Sequence, residues 1–238
     1  MAYDPQVVRT KFIPPLPRKR LLIRARLAEL LGGVVSHKVT ILQAGPGYGK
    51  STVLAVHLSR AGVPSFWYSV NSADTDPRVF ITHLIWSLRA AYPTVGSESL
   101  SLLEENYGPA ARRQAVDLLS NDLLDQIIGD VAIVIDDYHA VAKSPEVSEI
   151  VENLINTMPP HVHLILSTRE RPSFGSLARW RVRGEALEIT EKDLAFTASE
   201  ISGLFSGPYQ HELTAAQVKV VQERTEGCII ALEMIWHA

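Results

Sequence analysis

The chain has 238 residues, 46% of them hydrophobic and 21% charged, with a net charge of −3. That is enough chain for a sizeable core, and the weak acidic balance gives no general attraction for nucleic acid. The single cysteine, Cys228, excludes an internal disulfide and fits a reducing compartment. Residues 1–17 are polar and proline-rich and lack the apolar core of a signal peptide. No apolar run approaches the roughly 20 residues that span a bilayer. A cytoplasmic location is the expectation.

Residues 1–20, with Pro5, Pro14, Pro15 and Pro17 and the basic run Arg18-Lys19-Arg20, read as an extended arm. Arg24 to Leu31 predicts a short helix, ended by Gly32-Gly33. Strands and helices then alternate. Val39 to Gln43 is a short apolar run rich in β-branched residues, hence a buried strand. Ser51 to Arg60 predicts a helix and Ser65 to Val70 a second strand. Asp76-Pro77 starts another helix, with Asp as N-cap and Pro at the first helical position. Phe80, Leu84 and Leu88 give it an apolar stripe, widened by Ile81 and Ile85.

Residues 93–110 carry little pattern. A helix is expected over 111–128, a third strand over Val131–Ile135, a helix from Ser144-Pro145 to Asn156, and strands over His161–Leu166 and Ala186–Thr190. This alternation predicts an α/β fold, a parallel sheet covered by helices on both faces. From Thr197 the character changes. Thr197 with Glu200 and Thr214 with Gln217 are two capping boxes with no strand between them, flanked by Phe196/Ile201 and Leu213/Val218 staples. The expected division is an arm over 1–20, a core over 21–195 and a small helical subdomain over 196–238. The last segment, Cys228 to Ala238, is apolar and stops abruptly, so a fragment of a longer protein is expected.

Chemistry concentrates in Ala44-Gly45-Pro46-Gly47-Tyr48-Gly49-Lys50-Ser51, between the first strand and its helix. This fits the phosphate-binding P-loop with Ala where the strict pattern has Gly. Glycines let backbone N–H groups turn inward around phosphates, and the following helix aims its positive end at the same anion. Lys50 is placed to reach the β and γ phosphates, and the Ser51 hydroxyl to hold Mg²⁺. Asp136-Asp137 follows the third strand, which delivers both carboxylates to the ligand-binding edge of such sheets. Asp136 suits Mg²⁺, and Asp137 suits orienting or deprotonating a water; without the upstream loop the pair would read as a plain turn.

Ser167-Thr168-Arg169 follows the fourth strand, where Arg169 is either a γ-phosphate reader or a surface arginine. His139 is either a reporter of phosphate state or a loop histidine. Arg179, Arg181 and Arg183 alternate as on a solvated strand face rather than a nucleic-acid patch. Trp67, Tyr68 and Trp86 read as core, and Cys228, without a His or Cys partner at metal spacing, as buried and inert.

Several segments together resemble the nucleotide-binding domain of the STAND ATPases (signal transduction ATPases with numerous domains), specifically the MalT/LuxR-type large regulators. They are Thr10-Lys11-Phe12 to Pro15, Arg24 to Leu27, Gly45 to Ser51, Trp67-Tyr68-Ser69 with Asp76-Pro77 and Phe80, Ile135 to His139, Ser167 to Arg169, Leu194 to Thr197 with Glu200, and Thr225-Glu226-Gly227. The resemblance implies a P-loop NTPase of the ASCE/AAA-like type, a three-layer α/β/α sheet with the sensor strand between the two motif strands. It implies nucleotide contacts from Arg24, Gly45, Pro46, Gly47, Tyr48, Gly49, Lys50, Ser51 and Thr52, Arg169 as sensor, and residues 196–238 as a helical lid. It further implies Mg-ATP and ADP as ligands, an ADP-bound rest state, self-association with ATP and control of transcription. Two departures matter. Cys228 stands where the family usually has tryptophan, and the winged-helix, sensor and DNA-binding modules expected after residue 238 are not in this sequence, so direct DNA binding is not assigned to it.

Three readings compete: a regulatory switch that is a slow ATPase, a P-loop small-molecule kinase with 93–110 as acceptor lid, and an interaction module with a vestigial site. Asp137 favours water activation over transfer, and the intact Lys50, Ser51, Asp136 and Asp137 count against a vestigial site.

Overall fold

The structure is a computed structural model that describes residues 7–16 and 20–237. The chain folds as α1 (Ala25–Gly32), β1 (Val39–Gln43), α2 (Lys50–Ala61), β2 (Ser65–Ser69), α3 (Pro77–Leu88), α4 (Ser97–Glu105), α5 (Pro109–Gln126), β3 (Val131–Asp136), α6 (Pro145–Thr157), β4 (Val162–Thr168), α7 (Leu177–Val182), β5 (Ala186–Thr190), α8 (Glu191–Leu194), α9 (Ala198–Ser206), α10 (Ala215–Thr225) and α11 (Ile229–His237). The five strands form one parallel sheet in the order β2-β3-β4-β1-β5. The expected α/β class and the insertion of β4 between β1 and β3 are borne out.

The central strands are buried from end to end: every residue of β3 and of β4 is inaccessible. A strand covered on both faces needs no polar alternation, which is why these segments read as unbroken apolar runs. The two faces divide the core. Ile41, Tyr68, Ile133 and Leu164 point to the side of α3, α5 and α6. Leu42, Trp67, Val134 and Ile165 point to the side of α1 and α2. The register sets Gln43 against Thr168 and Ser69 against Asp136, so the strands present their carboxyl ends at one edge. A third cluster, built on Phe196, Ile201, Phe205, Val218 and Leu232, holds α9, α10 and α11 together. Both capping boxes form as read, at Thr197 and Thr214. The Asp76 carboxylate caps α3 through the N–H groups of Arg78 and Val79.

Several expectations change. Residues 93–110 are not loose: they contain α4, packed on α5 with the Ser99 hydroxyl donating to Ala115 O (2.8 Å). Its start is Gly96 at φ +71°, an N-cap with no side chain, so no capping signal announced it. The arginines 179–183 lie on and just after the short helix α7, not on a strand. Arg181 pairs with Glu188 and Arg179 donates to Asn156. The fourth strand runs two residues further than read, to Thr168. The described part of the arm is not simply extended. Arg9–Phe12 form a 3-10 turn against β2, with Lys11 ion-paired to the fully buried Asp74 and Phe12 edge-on to Tyr68. Pro5, Pro17, Arg18 and Lys19 lie outside the described residues. No helix among the described residues is long and apolar enough to cross a membrane.

Candidate nucleotide site

The site begins where β1 ends. Ala44 to Gly49 form a loop that runs straight into α2, a twelve-residue helix. Gly47 and Gly49 sit at φ +91° and +74°, a backbone region that L side chains seldom adopt. Gly49 is the N-cap of α2 and has no side chain to bond the first-turn amides, which leaves that end of the helix as an anion site. Lys50 is buried, and its Nζ donates to Ala44 O (2.8 Å) and Gly45 O (3.0 Å) of its own loop. Burial lowers its pKa, opposed first by Asp137 and then by Asp136. A cation held this way in reach of the loop is poised to transfer its donors to a phosphate oxygen.

The loop opens into a cavity of about 540 Å³, within the roughly 300–1,000 Å³ that small-molecule sites occupy. Pro46, Gly47, Tyr48, Gly49, Lys50, Ser51 and Thr52 line it, as do Arg24, Asp137 and Arg169. Three residues singled out from the sequence, Asp136, Gly45 and His139, are not on its wall. Asp136 is buried at the end of β3, where its Oδ1 accepts the Asp137 N–H at 3.0 Å. Gly45 faces away, and its N–H is already taken by Glu191 Oε2 at 2.9 Å. Asp137 is left-handed at φ +57° with a half-exposed side chain, and its Oδ1 lies 3.8 Å from His139 Nδ1. The left-handed turn is what aims two successive carboxylates in different directions. His139 is held below the ordinary imidazole value, first by burial and then by the Arg169 charge.

Arg24 lies at the cavity, and its bonds go to the protein. Nη1 donates to Leu194 O (2.6 Å), the guanidinium stacks over Phe196 at 4.1 Å, and Glu200 is 3.8 Å away. Burial lowers its pKa to about 10 against the raising effect of Glu200. Arg26 beside it donates to Asp193 O and Ala195 O.

Half of the cavity was not read from the sequence. Its apolar wall comes from Leu21, Leu22 and Ile23 ahead of α1, from Val53 and Val56 on α2, and from Ile229 and Ile230 on α11. No local pattern marks these residues, because the wall exists only where three distant segments meet. Cys228 also departs from its expected place in an inert core. It is half-buried at the head of α11, with Sγ 3.4 Å from Gly47 O, and the Ile230 N–H donates to the same carbonyl at 3.2 Å. The last helix therefore rests on the phosphate loop.

A parallel sheet with the loop strand and the acidic strand separated by one strand, and a glycine loop feeding a helix, defines the P-loop NTPase fold. Comparison with known proteins narrows this. No protein-family model matches the chain. It is 29% identical over 236 residues to the serine/threonine-protein kinase PknK of Mycobacterium tuberculosis, covering 97% of this chain and 21% of that protein. It is 28% identical over 236 residues to the HTH-type transcriptional regulator MalT of Cronobacter sakazakii, covering 96% of this chain and 25% of that one. Among solved structures it superposes on a STAND protein with a tetratricopeptide repeat sensor from Pyrococcus horikoshii at TM-score 0.61 and 15% identity, covering 94% of this chain and 31% of that one. It also superposes on a Walker-type ATPase of Pyrococcus abyssi at TM-score 0.56 and 12% identity, covering 94% and 70%. At those identities the structures speak for the fold alone. With the relatives, they bear out the resemblance to a STAND-class P-loop ATPase domain of the MalT type. The chain spans about a fifth to a quarter of the length of the curated relatives it matches.

Proposed function

We propose that this chain is the nucleotide-binding switch domain of a MalT-type signal-transduction ATPase, holding ADP at rest and ATP when active. The observation that carries the proposal is the loop itself. Gly47 to Thr52 and Lys50 converge on a cavity whose other wall is α11, so a nucleotide there would touch the core and the helical subdomain at once. A ligand bridging two bodies biases how they sit together, which is what a switch requires. In this reading the loop amides, Lys50 and Ser51 hold the phosphates and the apolar wall takes the base. Arg24 fastens the start of α1 to the α8–α9 connection at the cavity's edge, and Arg169 reads the γ-phosphate.

The Ser51 hydroxyl, on the cavity wall, is a hard oxygen donor of the kind that suits magnesium beside phosphates, and the Asp136 carboxylate, buried off that wall, would hold the ion through water. Mg²⁺ would neutralise phosphate charge there. Asp137, on the cavity wall, orients or deprotonates the attacking water, which makes the domain a slow ATPase. A LuxR-type output on transcription, a cytoplasmic location and self-association in the ATP state follow from the MalT likeness and belong to the same proposal. The kinase alternative lost its acceptor lid, since no residue of 93–110 is on the cavity wall and α4 is packed away on α5.

The test is to denature the purified protein and identify the released nucleotide by chromatography. Near-stoichiometric ADP is expected. Release of none, followed by no measurable Mg-ATP affinity, refutes the reading.

A further inference from the structure

Glu191 is a residue that neither the loop motif nor the family resemblance singled out. It sits at the seam between β5 and α8. The parallel register pairs Gln43 of β1 with Thr190 of β5. One residue later β5 stops, because Thr190 and Asp193 form a capping box that turns the chain into α8. The ladder would have offered the loop a backbone acceptor. Glu191 supplies a side-chain one, its Oε2 accepting the Gly45 N–H at 2.9 Å. A Cβ on Gly45 would lie 3.1 Å from that oxygen, so the approach is close. The Glu191 charge also bears on Tyr48, the one bulky side chain of the loop: burial, then that charge, push its phenol up to about 12. Tyr48 is itself buried in the cluster on the α2 face of the sheet.

Glu191 thus holds the loop from outside through the Gly45 N–H. That amide is not an inward one that a phosphate needs, since Gly45 is off the cavity wall. The four-residue helix it opens also offers the Leu194 carbonyl to Arg24 and the Asp193 carbonyl to Arg26. The loop and the start of α1 therefore meet on α8.

We infer that Glu191 is a positioning residue for the phosphate loop, keeping its inner N–H groups converged before any phosphate arrives. The inference rests on the nucleotide reading above, but its first readout does not need nucleotide. In the nucleotide-free full chain, amide hydrogen exchange of the peptide covering residues 44–52 should rise about tenfold in Glu191→Ala, since a loop freed from a charge-assisted hydrogen bond opens more often. Glu191→Gln keeps an acceptor for the Gly45 N–H and should stay within about threefold of the parent. Titration with a fluorescent ADP should show the same ranking, with Glu191→Ala about tenfold weaker.

Unchanged exchange in Glu191→Ala overturns the inference, and so does an equal loss in Glu191→Gln and Glu191→Ala. An alanine variant that exchanges faster throughout the chain, rather than at the loop, assigns Glu191 to bulk stability and also overturns it. If the parent binds no fluorescent ADP while the exchange ranking holds, the nucleotide reading falls and the positioning role stands.

Discussion

Arg24 offers the sharpest test of how the helical subdomain is attached. The resemblance implies that it lies near the nucleotide. In the structure its Nη1 already donates to Leu194 O and its guanidinium face lies over the Phe196 ring. Arg24→Met keeps most of the apolar stem and removes the guanidinium. The lost charge-assisted bond to a buried carbonyl is worth about 1.5–3 kcal/mol, and the stacking over Phe196 about 1 kcal/mol more. The Glu200 pair at 3.8 Å adds little, because Arg26 reaches the same carboxylate at 3.3 Å and retains it. The total, about 3 kcal/mol, falls on the contact of the α1 start with Leu194 and Phe196, which lead into α9, rather than on the sheet. It should raise the open population of residues 196–206 roughly a hundredfold. Hydrogen exchange by mass spectrometry on the nucleotide-free chain reads this directly: peptides from α9 should exchange faster while those from β3 and β4 do not. If α9 exchange is unchanged and only ADP affinity falls, Arg24 is a nucleotide contact and the fastening argument is wrong.

Lys50→Ala should weaken ADP binding by about a hundredfold or more, since it removes a buried charged donor at the phosphate position; calorimetric titration checks it. Asp137→Ala should leave that affinity within a few fold and abolish hydrolysis measured as phosphate release, about a hundredfold down. Gly227 sits at φ +73°, and a Cβ there would lie 2.6 Å from the Phe196 backbone N and O, so Gly227→Ala should cost about 3 kcal/mol or more in a denaturant titration. Gly129, at φ +80° with nothing within 4 Å, is the control, and its alanine variant should cost only about 1 kcal/mol. Equal costs for the two would remove the steric argument.

His57 is held below the ordinary imidazole value by burial, and His139 by burial and then Arg169. A folded pKa below the unfolded one means that the unfolded chain binds more protons as pH falls. The stability these two groups contribute is present above about pH 6.5 and is lost as pH drops through the folded values. The urea midpoint should therefore fall between about pH 7.5 and pH 5.5, and His57→Gln should shrink that fall. A variant with the full pH response would clear His57 of any part in it.

What the sequence determined by itself is local. The run Val131–Ile135 could only be a covered strand, and Asp76-Pro77 and the two threonine capping boxes carry their own helix starts. The phosphate loop was legible because its chemistry lies in consecutive residues: glycines for the backbone, a lysine and a serine for the ligand. That Asp136 ends a strand was legible from the apolar run before it, but the left-handed turn that puts Asp137 on the cavity wall and leaves Asp136 off it was not. The misreadings have local causes too. α4 starts on a bare glycine, and three alternating arginines around α7 fit a strand period as well as a short helix. Only the tertiary structure decided the rest. Glu191 meets Gly45 across 146 residues and Arg24 meets Leu194 across 170, while Ile230 reaches Gly47 through a helix at the other end of the chain. No spacing rule links such positions. Strand order and the turn into α8 bring the first two pairs together, and packing of the helical subdomain on the loop brings Ile230 to Gly47. The phosphate end of the site is written in one segment, and the apolar end is assembled from three.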